Sequence, residues 1–160
     1  MTSELIITAD FIIEVIVQFI VCSVASIAFA VFFHPPYKHL IFSGLCGGFA
    51  WAIYMILAYF GMDAGFASFF ATVTLTALSR IFAFHRKAPI TMFLIPGIIP
   101  LVPGISIYQT GYYMFMSESG KAISYAASSF SVAVAIALGM ALILSLPQVL
   151  FSFKRKKNLQ

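Results

Sequence analysis

The stretch PGIIPLVPG, residues 96–104, places unpaired backbone groups inside an apolar run. Proline has no N–H and clashes with the carbonyl four residues earlier, so each of the three prolines frees one carbonyl. The freed carbonyls belong to Met92, Pro96 and Ile99. Free carbonyls can hold a cation or a hydrogen-bond donor, whereas the N–H groups that begin a half-helix favour an anion. The stretch therefore has the chemistry of a polar binding site.

The same prolines predict a broken helix. Each one pushes the preceding residue out of the α region. We expect a short half-helix from about Pro89, an extended crossing over Pro96–Pro103, and a second half-helix from about Gly104. Lipid cannot satisfy bare backbone groups, so such a segment must be buried in protein or line a watered cavity. This favours a transport site, and the alternative is a re-entrant or kinked structural segment.

Polar side chains near the break predict a site for a small carboxylate. The first N–H groups after Gly104 can receive the anion, and Tyr108 and Gln109 follow on the next turn. Arg80 can grip a carboxylate with two hydrogen bonds, although an Arg at a helix end often only extends its charge towards water. The predicted substrate-binding residues are Arg80, Pro96, Gly97, Pro100, Pro103, Gly104, Tyr108, Gln109, Thr72 and Thr76.

Two stripes of small residues mark helix faces. Thr72 and Thr76 belong to a hydroxyl stripe that also includes Ser68 and Ser79. It is either the wall of a polar pathway or a row of hydroxyls bonded to their own helix. Gly44, Gly48 and Ala52 form a second stripe, which predicts close helix packing. The spacing does not tell whether the packing neighbour lies in this chain or in another.

The elements that must position these residues are membrane helices. The chain is 62% hydrophobic and only 9% charged, against about 25% charge in a soluble domain. About 20 apolar residues cross a bilayer as a helix. We predict an all-α integral membrane protein, a single domain over residues 1–160 with a basic tail at 152–160. The five predicted spans are Phe11–Phe33, Leu40–Phe60, Ala64–Phe84, Ile90–Phe115 and Ala122–Phe151, the fourth being the broken one.

The charges predict one orientation. Basic residues near span ends stay cytoplasmic. With five spans and the C-terminus inside, eight of the nine Lys and Arg residues fall on the cytoplasmic side, and only Lys121 falls outside. The N-terminus then lies outside the cell. The net charge of +4 is explained by these orientation signals and by contact with the lipid surface, without nucleic acid.

The motifs argue against an enzyme. The sequence has no HExxH, GxSxG or paired carboxylates, and its acidic residues lie near span ends. Cys22 and Cys46 lie in apolar runs, where they read as small buried residues. We therefore expect no catalytic residue, no metal and no cofactor.

At this point the residues resemble a known family. Ser79-Arg80, Ala88-Pro89 with ITMFLI, the PGIIPLVPG core and Tyr108 are similar to the small subunit of the threonine/serine exporter family (YjjB-like proteins). The chain also resembles the C-terminal half of the longer fused exporters of the ThrE type. The resemblance covers the whole chain, and its most specific part is PGIIPLVPG.

The resemblance implies a two-component exporter in the cell (inner or plasma) membrane. A second, separately encoded five-span subunit (YjjP-like) would supply the other spans, and a homo-oligomer is the alternative assembly. The implied substrates are small carboxylate-bearing metabolites, namely threonine and serine or a dicarboxylate such as succinate. The alternative function is a non-transporting assembly or scaffold subunit of a membrane complex. A scaffold has no reason to expose carbonyls in mid-membrane.

Overall fold

The computed structural model describes residues 2–34 and 36–147, with side chains from residue 10 onward. All regular structure in this part of the chain is helical. The helices are α1 (Thr2–Val31), α2 (Tyr37–Tyr59), α3 (Ala64–Arg86), α4 (Thr91–Ile98), α5 (Gly104–Phe115) and α6 (Ser119–Ser145), with a 3-10 turn at Ile99–Leu101 after α4. The predicted all-α fold is confirmed.

Four helices are long and apolar enough to cross a membrane: Asp10–Val31 within α1, and the whole of α2, α3 and α6. Thr91–Leu101 and α5 pass the same test as a pair bent by 48°. Counted as one broken span, the pair brings the candidate membrane spans in the described residues to five. The predicted end of span five at Phe151 and the basic tail lie outside the described residues.

Local signals set the boundaries between these helices. Gly61 turns the chain after α2 with φ +80, a conformation that glycine adopts without strain. Asp63 then accepts a hydrogen bond from the N–H of Gly65 at 2.9 Å, which caps the start of α3. Lys87 ends α3 in the left-handed region, and its N–H bonds to the carbonyl of Ala83. Short connections therefore hold α2 and α3 as an antiparallel pair.

The helices pack through small residues. An added Cβ at Gly44 would lie 2.7 Å from Ile27 Cγ1, and one at Gly48 would lie 2.2 Å from Ser23 Oγ. Both glycines therefore face α1, so their neighbour belongs to the same chain. Ala52, the third residue of the stripe, is half-buried. On the other side of α3, Gly139 of α6 packs directly against the backbone of Phe69.

The first half of the broken span lies in a groove formed mainly by α2 and α3. Pro96 is fully buried, and an added Cβ at Gly97 would lie 2.5 Å from Leu75 Cδ1 and 3.4 Å from the Gly47 nitrogen. Phe93 and Leu101 of the same segment are buried in the core. The remaining buried core residues around them are Cys46, Ala50, Ala71, Leu75, Leu94, Val132 and Ile136.

Candidate functional site

The break in span four is much shorter than the sequence indicates. The helix continues through Pro96 to Ile98, and a 3-10 turn carries it past Pro100. Only Val102, with ψ 130, and Pro103 leave helical geometry. The expectation of an extended crossing over Pro96–Pro103 is therefore wrong. Ile99 stays in the α region although a proline follows it, because the turn closes there with a bond from the Val102 N–H to the Ile99 carbonyl at 3.3 Å.

A second helix satisfies one of the freed carbonyls. The Ser43 hydroxyl of α2 donates to the Met92 carbonyl at 2.9 Å, and the His39 carbonyl of its own helix lies 3.3 Å from the same oxygen. Ser43 is fully buried, so this bond lies in a dry environment where an unpaired carbonyl is costly. The hydroxyl replaces the amide that Pro96 lacks. The Met92 carbonyl therefore faces protein, and the expectation that it stays free for a ligand is wrong.

The start of α5 keeps its unpaired donors. Gly104 N–H bonds to the Val102 carbonyl at 2.7 Å, and Ile107 N–H bonds to the Pro103 carbonyl at 3.1 Å. Between them, the N–H groups of Ile105 and Ser106 find no acceptor among the residues that the structure describes. No side chain caps this helix start. Gly104 is exposed and nothing lies within 4 Å of its missing Cβ, so the approach to these donors is open.

The predicted polar residues of α5 lie about one turn beyond this helix start. Tyr108 is 70% exposed and its ring stacks on Tyr112, with centroids 6.3 Å apart. Gln109 is half-buried. In the described residues, α5 has no buried position at all. The second half of the span is thus a surface helix, in contrast to the buried first half.

The hydroxyl stripe of α3 is buried in the bundle. Ser68, Thr72, Thr76 and Ser79 are each at most 1% exposed. Thr72 donates to the Ser68 carbonyl at 2.7 Å, and Thr76 donates to the Thr72 carbonyl at 2.8 Å. Of the two interpretations of this stripe, the hydroxyls bonded to their own helix match these contacts. Ser79 reaches across to Cys46 Sγ at 3.6 Å, so the stripe also joins α3 to α2.

Arg80 lies at the end of this stripe and contacts α6. Its guanidinium donates to the carbonyl of Ile143 and, at 2.7 Å, to that of Leu146. Ile143 lies in the last turn of α6 and Leu146 is the residue that follows the helix, where the negative end of the helix dipole attracts a cation. Arg80 therefore closes the end of α6 from a neighbouring helix. Arg86 lies 4.1 Å above the Phe42 ring instead.

The predicted site residues lie in three different environments. Thr72, Thr76, Pro96 and Gly97 are buried in the core, and Arg80 is bound to the end of α6. Gly104, Tyr108 and Gln109 belong to the outward half-helix, which the half-buried Pro100 and Pro103 connect to the core. Only this third group borders unpaired donors that a ligand can reach.

Sequence reasoning did not find two polar contacts between helices. The Ser43 bond is one, and a row of three residues is the other. Trp51 Nε1 donates to Gln18 Oε1 at 2.6 Å, and Gln18 Nε2 donates to Glu14 Oε1 at 3.2 Å. The single Trp of the chain was the available signal, because a partly buried indole N–H needs an acceptor.

The sequence is similar to a known family and to an uncharacterized protein. The sequence model of a family described as "Threonine/Serine exporter, ThrE" matches residues 18–146. An uncharacterized protein of Haemophilus influenzae is 26% identical over 103 residues, which cover 62% of this chain and 33% of that protein. The matched region thus spans about a third of that relative's length. No solved structure matches the chain.

Proposed function

The chain belongs to the threonine/serine exporter family, and on that premise we propose that it is one membrane subunit of a two-component exporter. Its substrates are small carboxylate-bearing metabolites, either threonine and serine or a dicarboxylate such as succinate. It acts in the cell membrane as a transporter without a catalytic step. A second five-span subunit supplies the rest of the pathway.

The start of α5 carries this proposal. The N–H groups of Ile105 and Ser106 lie near the middle of the broken span without an acceptor in the described residues. Two adjacent N–H groups at a helix start bind an anion through hydrogen bonds and through the helix dipole. The bare Cα of Gly104 leaves room for a carboxylate to approach. Tyr108 and Gln109, about one turn further on, can donate to the rest of a small polar substrate.

One observation favours the scaffold function instead. The Met92 carbonyl is satisfied by Ser43, and the Thr72 and Thr76 hydroxyls are satisfied by their own helix. A bundle whose polar groups pair internally needs no substrate to complete it. A transporter uses the unpaired N–H groups at the start of α5 to bind substrate, whereas a scaffold has no use for them. Transport measurements separate the two functions.

The experiment is efflux from cells that lack their own exporters. Cells are loaded with threonine, serine or succinate, and each compound is followed outside the cell. The chain is expressed alone, with its second subunit, and with neither. We expect efflux only when both subunits are present. Efflux from this chain alone would replace the two-component proposal with a homo-oligomer, and no efflux in any combination would favour the scaffold.

Replacing Arg80 with Gln is expected to lower export more than replacing Arg86 with Gln. Arg80 holds two carbonyls at the end of α6, so its loss removes charge-assisted bonds of about 1.5–3 kcal/mol each, or roughly tenfold or more in rate if transport needs α3 and α6 held together. Arg86 loses an exposed cation–π contact of about 0.5–1 kcal/mol, or roughly fivefold at most. Initial efflux rates, normalised to membrane protein level, measure the difference. Equal, mild effects of both changes would limit Arg80 to its contact with α6.

A further inference from the structure

Helix α5 presents an uncovered face. Among the described helices it packs only against α6. Gly104, Tyr108, Gly111 and Phe115 follow one another at steps of four, three and four residues, which places them on one side of the helix. We call this set the outer face of α5. Tyr108 is 70% exposed and Phe115 is 91% exposed, while the missing Cβ atoms of Gly104 and Gly111 have nothing within 4 Å.

Lipid does not suit the start of this face. The N–H groups of Ile105 and Ser106 lie beside Gly104 near the middle of the broken span, with no acceptor in the described part of the chain. A polar group left unpaired in hydrocarbon costs several kcal/mol, so backbone of this kind occurs only where protein or a water-filled cavity covers it. Other exposed helix faces differ. The exposed side of α1 carries Ile13, Ile20 and Val24, whose helix backbone is fully paired, and lipid can cover it.

The alternation of large and small residues fits a helix. Two glycines separated by a tyrosine leave two hollows and one ridge along the outer face. Small residues at such spacing let another membrane helix approach closely. The fitting partner is an apolar transmembrane helix that places large side chains over Gly104 and Gly111 and a small one over Tyr108.

We infer that the outer face of α5 is the docking surface for a transmembrane helix of the second subunit, and that the carboxylate site lies in the seam between them. This rests on the proposed two-component function. The relative from Haemophilus influenzae favours a non-identical partner over a second copy, since two thirds of its length lies outside the region that this chain matches. The second subunit supplies the wall that the N–H groups of Ile105 and Ser106 lack.

The first test is photo-crosslinking in membranes. Tyr108 of the outer face, or Ile20 of the α1 face as the control, is replaced with benzoylphenylalanine, and the full chain is co-expressed with an epitope-tagged second subunit. We expect a cross-link to the tagged subunit from position 108 and none from position 20. A homodimer band from position 108 would overturn the inference in favour of a second copy. Cross-links to lipid alone would overturn it in favour of a bilayer-facing helix.

A matched pair of glycine substitutions provides the second test. Gly111→Leu fills a hollow of the outer face, whereas Gly120→Leu adds the same side chain to α6 at a position that is equally open. Leucine favours a helix more than glycine does, so both variants should fold. We expect Gly111→Leu to lose co-purification with the second subunit and Gly120→Leu to retain it. Equal retention by both variants would contradict the inference.

Efflux measured in parallel from cells that express the wild-type chain with the same second subunit separates this inference from the proposed function. A cross-link from position 108 without export of threonine, serine or succinate would leave the docking surface standing and remove the exporter. Export without that cross-link would leave the exporter standing and remove the docking surface.

Discussion

Replacing Pro100 and Pro103 together with alanine is expected to abolish export while the chain stays folded in the membrane. The two alanines restore backbone donors and release Val102 from the extended conformation that Pro103 imposes on it. Span four can then run as one helix, and the bend of 48° is lost. The N–H groups of Ile105 and Ser106 would bond to carbonyls one turn earlier. The donors proposed for the carboxylate would no longer be available.

The expected loss is about a hundredfold or more, similar to the loss of a preorganised donor at an anionic site. It is measured as the initial efflux rate with the proposed second subunit co-expressed. Membrane level and a monodisperse gel-filtration peak establish that the double variant is folded. Pro89→Ala is the control, because Pro89 is exposed in the connection before α4 and outside the break. Wild-type export by the double variant would show that the break is not needed for transport.

Gly139→Leu is expected to prevent stable folding, whereas Gly120→Leu in the same helix is expected to be tolerated. A Cβ at Gly139 would lie 2.9 Å from the Phe69 carbonyl oxygen and 3.1 Å from Thr72 Cβ. The first of these is backbone, which cannot turn aside as a side chain can. A leucine there must push α6 away from α3, and overpacking of a tight contact costs about 1–3 kcal/mol or more.

Thermal unfolding in detergent tests this pair. We expect Gly139→Leu to be aggregated or to unfold at a clearly lower temperature than the wild type. Gly120→Leu replaces a poor helix former at an open position in the first turn of α6 and should unfold at about the wild-type temperature, since the gain there is smaller than the ~1 kcal/mol of a helix interior. Similar midpoints for the two variants would mean that α3 and α6 are not held at the distance seen here.

Local sequence rules predicted the part of the break that depends on neighbouring residues. Val102 is extended because Pro103 follows it, and α5 begins at Gly104 as expected. The same rules fail at Pro96, where the helix continues because Ser43, 49 residues before Met92 in sequence, satisfies the freed Met92 carbonyl. Nothing near Pro96 in the sequence reveals that partner. Distant contacts therefore decide which prolines break the helix.

For the other candidate residues too, the sequence predicted some features and only the fold shows the rest. The spacing of Gly44 and Gly48 predicted a packing face, but only the fold identifies α1 as the neighbour. The spacing of Thr72 and Thr76 predicted a common face equally well for a pathway and for a buried seam. The charge of Arg80 made it a functional candidate, whereas its contact with the end of α6 depends on how α3 and α6 are aligned. Periodicity predicts which face of a helix carries a residue, whereas only the packed structure shows what that face contacts.

The bond between Ser43 and Met92 has a consequence for motion between the two ends of the transport cycle. Ser43 has one proton and two carbonyls in reach, that of Met92 at 2.9 Å and that of His39 at 3.3 Å. If α4 moves away from α2, the hydroxyl can turn to His39 and stay paired. Separation then exposes one carbonyl rather than a carbonyl and a hydroxyl. Alternating access needs two arrangements of similar free energy. A hydroxyl that can change from one carbonyl acceptor to the other reduces the difference in free energy between the two arrangements.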